Sequence, residues 1–358
     1  EGLSPDQVTY VCILKACGLA QSLSLGEEIH AEIKKQNLLE KNVILGNALV
    51  DMYVKCSMLE KAQEVLNKLP RRNVISWSTL IAGYAQHGLG DKAINCWRKM
   101  KDEGLLPNAL TFIFILKACG SIGSREIGEE IHMQVSKRGL LKKDIMLATT
   151  LLDMYVKFSM LGKAQQVFDD IPIRDVVSWN ALIAGYTQHG LSDKALECFR
   201  NMQGEGLCPD TVTLICVLKA CGNIGYLGMG DAIYSQVLEQ RLLGKDIALG
   251  TAIVDMYVKC GLLEKAQKVF NELAIQNAVA WNALMAGYAQ LGHPKRVWGL
   301  FRNMVSEGVV ADVVTFLVVL SACSHAGLVK EGDLIFHYMN EVYDLNPTLE
   351  HYTCMVDT

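Results

Sequence analysis

Twelve cysteines and eight histidines are the side chains of this 358-residue chain best suited to metal or redox chemistry. Their spacing offers little of either. No two cysteines stand three positions apart, so there is no Cys-x-x-Cys clamp. Cys17, Cys119, Cys221 and Cys323 each end an apolar helical run such as Ile113-Phe114-Ile115-Leu116-Lys117-Ala118-Cys119, the setting of buried thiols in a reducing compartment. His87 and His189 recur in one Gln-His-Gly triplet, which marks a repeat and not a unique active site. The recurring polar chemistry is of a different kind. Small hydrogen-bonding side chains, Ser78, Asn180 and Asn282 in one set and Asn47, Thr149 and Thr251 in another, sit on otherwise apolar helical patterns.

These residues keep a step of 102, and so does much of the chain. Val50-Asp51-Met52-Tyr53-Val54-Lys55 returns from Leu152 to Lys157 and from Val254 to Lys259, and Trp77, Trp179 and Trp281 keep the same interval. A fixed period this long means a stacked array, whose function lies in a repeated surface. Apolar residues make up 51% and charged residues 20%, which suits a fully folded protein. The net charge of −4 does not advertise a nucleic-acid binder, but a solenoid can gather basic side chains along one groove. No apolar run approaches the ~18 residues of a membrane span, and no targeting peptide is visible in these residues. The chain starts inside one repeat and stops inside another, so we expect a fragment.

Each period divides into segments of 35, 36 and 31 residues, each with two helical patterns. In the segment from Val176 to Asp210, Val177-Ser178-Trp179-Asn180-Ala181-Leu182-Ile183-Ala184-Gly185-Tyr186 is followed by a Gly turn. Lys194-Ala195-Leu196-Glu197-Cys198-Phe199-Arg200-Asn201-Met202 then carries apolar residues at helical spacing, and Gly206 and Pro209 close the unit. No period-2 strand pattern appears. The expected fold is all-α, an α-solenoid of stacked helix–turn–helix pairs.

On these features the chain resembles the pentatricopeptide repeats of the plant subfamily built from P-, L- and S-type motifs in triplets. The length alternation, Ser-Trp-Asn-Ala-Leu-Ile-Ala-Gly-Tyr and Met-Tyr-Val-Lys-Cys together carry the resemblance. It implies a right-handed α-α superhelix and ten motifs over residues 7–348. L-type motifs fall at 7–42, 109–144, 211–246 and 313–348, S-type at 43–73, 145–175 and 247–277, and P-type at 74–108, 176–210 and 278–312. Residues 1–6 end a truncated P-type motif and 349–358 begin an S-type one.

The resemblance further implies that motif position 5 and the last motif residue read one RNA base, while position 2 packs against its face. The reading pairs would be Asn47/Asn73, Ser78/Asn108, Thr149/Asp175, Asn180/Asp210, Thr251/Asn277 and Asn282/Asp312. The flanking residues would be Ile44, Ile75, Met146, Val177, Ala248 and Val279, positions that periodicity alone assigns to the core. In the L-type motifs position 5 is Val11, Ile113, Ile215 or Leu317, which cannot hydrogen-bond a base edge. Ionised Asp suits guanine N1–H or uracil N3–H, and Asn suits adenine N1 or cytosine N3. In the family's pairing Thr or Ser at position 5 goes with purines and Asn with pyrimidines, so the implied core is C/U-A-x-G-U-x-A-U, read 5′ to 3′ from the N-terminus. One-base-per-repeat reading is a general property of this repeat class.

Each assignment has a simpler counterpart. Asp or Asn before a helix is also an N-cap, whatever the protein binds. Lys55, Lys157 and Lys259, which the resemblance makes phosphate contacts, also suit the negative end of their helix dipole. Trp77, Trp179 and Trp281 have the spacing of inter-helix packing.

The expected partner is single-stranded RNA, with no membrane, cofactor, metal or small-molecule substrate. The resemblance suggests the specificity array of a C-to-U RNA-editing factor in mitochondria or chloroplasts. The H-x-E plus C-x-x-C arrangement of a zinc deaminase does not occur here, so no catalysis is expected of this segment. A deaminase-bearing domain beyond Thr358, or other editing-factor proteins, would supply it. The alternatives are a helical scaffold for protein partners, or an organellar RNA processing or stability factor without editing.

Overall fold

A computed structural model describes residues 5–40 and 42–356; of the truncated motifs predicted at 1–6 and 349–358, residues 1–4 and 357–358 lie outside the described residues. Among the described residues there are twenty-one α-helices and no strand. The chain divides into two units, up to Leu182 and from Ile183.

The first unit contains α1 (Gln7–Ala20), α2 (Leu23–Lys35), a 3-10 turn (Leu38–Glu40), α3 (Val43–Lys55), α4 (Leu59–Lys68), α5 (Val74–Gln86), α6 (Gly90–Asp102), α7 (Ala109–Ile122), α8 (Arg125–Lys137), α9 (Ile145–Lys157) and α10 (Leu161–Asp169). The division falls within α11 (Val176–Gln188). The second unit continues with α12 (Ser192–Gly204), α13 (Thr211–Ile224), α14 (Leu227–Glu239), α15 (Ile247–Lys259), α16 (Leu263–Glu272), α17 (Ala278–Gln290), α18 (Pro294–Ser306), α19 (Val313–Ala326), α20 (Val329–Glu341) and α21 (Leu349–Val356).

The helices form hairpins, and the two helices of a hairpin differ in kind. In the first unit α1, α3, α5, α7 and α9 each pack on the next, and in the second α13, α15, α17, α19 and α21 do the same. Such a helix has neighbours on several sides, so it is apolar nearly all round: α3 buries Leu45, Ala48, Leu49, Val50, Met52, Tyr53 and Val54. The second helix of each hairpin lies behind this layer and is amphipathic; α4 buries Leu59, Ala62, Val65 and Leu66 and turns its charged residues outward. Trp77, Trp179 and Trp281 are buried, the last two edge-on to Phe168 and Phe270 with ring centroids 4.5 and 4.6 Å apart. Packing is therefore their role, and Cys17, Cys119, Cys221 and Cys323 are buried core residues. No helix among the described residues is long and apolar enough to cross a membrane.

Within a hairpin the chain reverses through a left-handed residue. At the end of α5, Gly88 has φ +72°, and Leu89 N–H donates to the Tyr84 carbonyl at 2.9 Å, closing a Schellman turn. The same place after α3 is Ser57 at φ +59°, where an L side chain is strained. His87 compensates there: its Nε2 lies 3.1 Å from Ser57 Oγ and its Nδ1 is 2.9 Å from the Gly83 carbonyl. The recurring Gln-His-Gly histidine is thus a turn-bridging group. After α15 the left-handed residue is Gly261, and Leu291 stands where His87 would.

We therefore expect Gly261→Ser to lower stability by about 1 kcal/mol, the lower end of the left-handed penalty. Adding Leu291→His should restore part of the loss in thermal melts. A double variant no more stable than Gly261→Ser alone would remove the bridging role.

Candidate nucleic-acid interface

Each first helix from α1 to α19 is opened by an Asp or Asn whose side-chain oxygen accepts a backbone N–H. The Oδ1 atoms of Asn73, Asn108, Asp175, Asp210, Asn277 and Asp312 accept from Ser76, Thr111, Ser178, Thr213, Ala280 and Thr315 at 2.8–2.9 Å. Ser76, Thr111, Thr213 and Thr315 return the bond as capping boxes. The predicted last-position readers are therefore N-caps, as the simpler explanation requires.

Capping nonetheless leaves a definite group over. The bonded atom must be an acceptor, so an Asn cap has only its Nδ2 donor left, and an Asp cap only its second acceptor oxygen. Asn73, Asn108 and Asn277 thus offer a donor, and Asp175 and Asp312 an acceptor. Burial alone would raise the Asp312 carboxyl, but hydrogen bonds from the Thr315 N–H and hydroxyl and the Asn282 amide hold it below the usual carboxylate range. It is therefore ionised at neutral pH and accepts only.

The position-5 residues lie beside these caps to different degrees. Asn282 Nδ2 donates to Asp312 Oδ1 at 3.0 Å, and its own Oδ1 is buried without a partner. Asn47 Nδ2 reaches Asn73 Oδ1 at 3.4 Å, while Asn47 Oδ1 accepts from the Ser76 hydroxyl at 2.6 Å. Ser78 is linked to Asn108 only through Thr111, with oxygens 2.6 and 2.8 Å apart along the chain. The Thr251 hydroxyl donates back to the Ile247 carbonyl at 2.8 Å. Asn180 and Asp210 belong to different units; the first is buried and the second exposed.

The most complete assembly lies beside α9. A cavity of about 320 Å³ is lined by Met146, Thr149, Asp175 and Val177, with Lys117, Ile145, Thr150 and Asp153 completing it. The first four are the flanking pair and the reading pair predicted for one site. Its volume lies at the lower end of ordinary ligand clefts.

Position 2 departs from what helical periodicity alone indicates. Ile44, Ile75, Met146, Val177 and Val279 are 59–68% exposed, and Ala248 is exposed as well. Sequence reasoning missed that the L-type motifs share this feature. Val8, Leu110, Val212 and Val314 are 53–68% exposed, so an apolar residue stands outward at the start of every such helix. Their position-5 residue Ile113 is buried, and Val11, Ile215 and Leu317 are partly so.

Lys55, Lys157 and Lys259 are held in place by their surroundings. Each Nζ pairs with the Asp one turn back, Asp51, Asp153 or Asp255, at 2.7–2.9 Å. Each stem crosses a glycine of the preceding first helix: a Cβ on Gly18, Gly120 or Gly222 would lie 3.0–3.2 Å from the lysine Cδ. The pairing weakens them as phosphate contacts.

His30-Ala31-Glu32 has the H-x-E spacing of a deaminase, though no C-x-x-C pair accompanies it in the sequence. His30 Nδ1 is 2.8 Å from the Tyr53 hydroxyl, Glu32 accepts from Gln36 at 2.7 Å, and burial lowers the imidazole pKa. His132 makes the same bond to Tyr155 at 2.7 Å, so the arrangement is a packing device between hairpins. Among the described residues no three His, Cys, Asp or Glu side chains are grouped as metal ligands.

With this geometry in hand, three comparisons bear on the chain. The model described as "PPR repeat family" matches residues 72–121, 174–223 and 276–325, and that described as "PPR repeat" matches 47–74, 251–274 and 314–342. Pentatricopeptide repeat-containing protein At4g38010 of Arabidopsis thaliana is 38% identical over all of this chain, which covers 63% of that protein. A second Arabidopsis protein, At3g57430, chloroplastic, is 34% identical over all of this chain and 41% of its own length. Other relatives are named as mitochondrial. The chain thus spans between 41% and 64% of the length of these curated relatives. Among solved structures, the crystal structure of the pentatricopeptide repeat protein PPR10 in complex with an 18-nt psaJ RNA element matches with a TM-score of 0.75. At 18% identity it covers 96% of this chain and 56% of its own, a likeness of fold.

The capping analysis yields a test on Asn108. Asn108→Ala should cost about 1 kcal/mol, and Asn108→Ser, another good cap, only a few tenths. Equal melting temperatures for the two variants would show that the cap contributes nothing there.

Proposed function

The chain belongs to the pentatricopeptide repeat family, and on that premise we propose that it binds single-stranded RNA and reads bases with its P- and S-type motifs. The observation that carries the proposal is the cavity beside α9, where Met146, Thr149, Asp175 and Val177 meet. Two exposed apolar side chains flank an opening in which one hydroxyl and one leftover carboxylate oxygen can meet a base edge. A base entering there buries its faces on Met146 and Val177 and offers its edge to Thr149 and Asp175. The RNA in the PPR10 crystal structure supports the same reading.

The leftover-group argument gives the code a physical basis. An Asn cap presents a donor to adenine N1 or cytosine N3, and an Asp cap an acceptor to guanine N1–H or uracil N3–H. Combined with the family's position-5 pairing, this makes Asn47/Asn73 read cytosine (uracil being the family's alternative), Ser78/Asn108 adenine, Thr149/Asp175 guanine, Asn180/Asp210 uracil, Thr251/Asn277 adenine and Asn282/Asp312 uracil. The resulting core is C/U-A-x-G-U-x-A-U, with x opposite the L-type motifs. We assign the chain to the triplet-motif subfamily, as the specificity array of an organellar C-to-U editing factor. Deamination would belong to a domain or partner outside these residues, and relatives named as chloroplastic and mitochondrial support an organellar site.

The direct test is binding of the 358-residue chain to an RNA carrying C-A-N-G-U-N-A-U, to a scrambled RNA of the same composition and to the matching DNA. Preference for the ordered RNA supports the reading; equal weak binding to all three removes it. At the third-read base, Thr149→Asn should shift preference from guanine to uracil. Asp175→Asn should shift it from guanine to adenine with little change in melting temperature, because Asn keeps the cap. A roughly tenfold exchange of preference corresponds to about 1.4 kcal/mol, within the range of one good edge contact. Retention of guanine preference in both variants would eliminate the position-by-position code.

A further inference from the structure

We infer that the first three L-type motifs bind the RNA backbone through a lysine two turns into their first helix, with Lys117 holding a phosphate beside the guanine site. This rests on the RNA reading above and assigns a contact to motifs that cannot read a base.

Lys117 lines the cavity that contains Thr149 and Asp175, although it comes from α7, the preceding first helix. It is exposed, and it forms no ion pair or hydrogen bond among the described residues. Of the neighbouring carboxylates, Asp153 pairs with Lys157 at 2.9 Å, and Asp175 caps α11 with one oxygen and keeps the other for the base edge. Lys117 is thus the cation lining this cavity, held by no ion pair among the described residues.

The position is built into the repeat. Lys15 and Lys219 stand 102 residues before and after Lys117, both exposed and without an ion pair among the described residues, and Ser321 takes the place in the fourth L-type motif. The equivalent residue of the S-type first helix is Asp51, Asp153 or Asp255, which neutralises that helix's own lysine. In the P-type helix it is Ala82, Ala184 or Ala286. Among these positions the free cation therefore comes from the L-type helix, one turn beyond its aliphatic position 5 and two beyond its exposed Leu110. An apolar flank, a silent edge position and an unpaired ammonium suit a nucleotide held without regard to its base.

Salt dependence of RNA binding tests this, using the whole chain and the RNA described above. For single strands each phosphate contact contributes about 0.7 to the slope of log affinity against log salt. Lys117→Gln should weaken matched and scrambled RNA by the same factor and reduce the slope by about 0.7. Lys157→Gln, whose lysine is paired, should change it less. An RNA with a neutral methylphosphonate between x and the guanine should bind the wild type more weakly and Lys117→Gln no differently from the unmodified RNA. An unchanged slope in Lys117→Gln, with wild-type binding intact, would overturn this inference alone. Wild-type protein that binds no RNA would overturn the RNA reading and this inference with it.

Discussion

The candidate interface depends on one repeated hydrogen bond, from the third backbone N–H of a first helix to the Asp or Asn side chain that precedes it. That bond starts the helix and fixes where one motif ends and the next begins. It also holds the closing Asx of each motif at the base of the following helix, where Asn47 and Asn282 reach it directly. Because the bonded atom has to accept, the other end of the group is determined by residue type. The structural bond therefore leaves the other end of the same side chain available for the proposed base contact, without conflict.

The layering of the hairpins supplies the second condition. First helices pack on one another, so most of their surface is apolar and buried, and the few positions that face outward carry the available chemistry. Position 2 is apolar yet exposed in every motif, while position 5 is polar in two motif types and aliphatic in the third. A packing requirement would not leave Ile44, Ile75 and Met146 in solvent, since burying such a side chain is worth about 1.5–3 kcal/mol. Their exposure is what a surface that receives flat apolar faces requires.

Much of this was legible in the sequence because repetition amplifies weak signals. The Asx positions before each apolar run marked helix starts, and the Gly and Ser turns marked reversals. Periodicity failed at position 2: a helix apolar nearly all round gives no indication of which apolar residue is left uncovered, and Ile44 reads like its buried neighbour Leu45. The Asp51–Lys55 spacing of four was visible, but its consequence was not, because a lysine at a helix end is equally compatible with a phosphate, a dipole or a partner. Lys117 was hidden for a related reason. It sits in an apolar run that reads as core, and only the placement of α7 beside α9 brings it to Thr149.

The charge balance follows from the same geometry. A net charge of −4 would oppose a polyanion if it were spread evenly. On the hairpin layers it is not even: pairs such as Lys163–Glu129 and Lys101–Glu130 neutralise the second helices among themselves. On the first helices each S-type Asp–Lys pair cancels internally, while Lys15, Lys117 and Lys219 of the L-type helices have no ion-pair partner among the described residues. Screening over about 10 Å at 0.1 M salt means that a phosphate at the cavity senses that lysine far more than the acidic residues of distant surfaces. Net charge is therefore a poor guide to what such an array binds, and the placement of individual cations such as Lys117 is the relevant quantity.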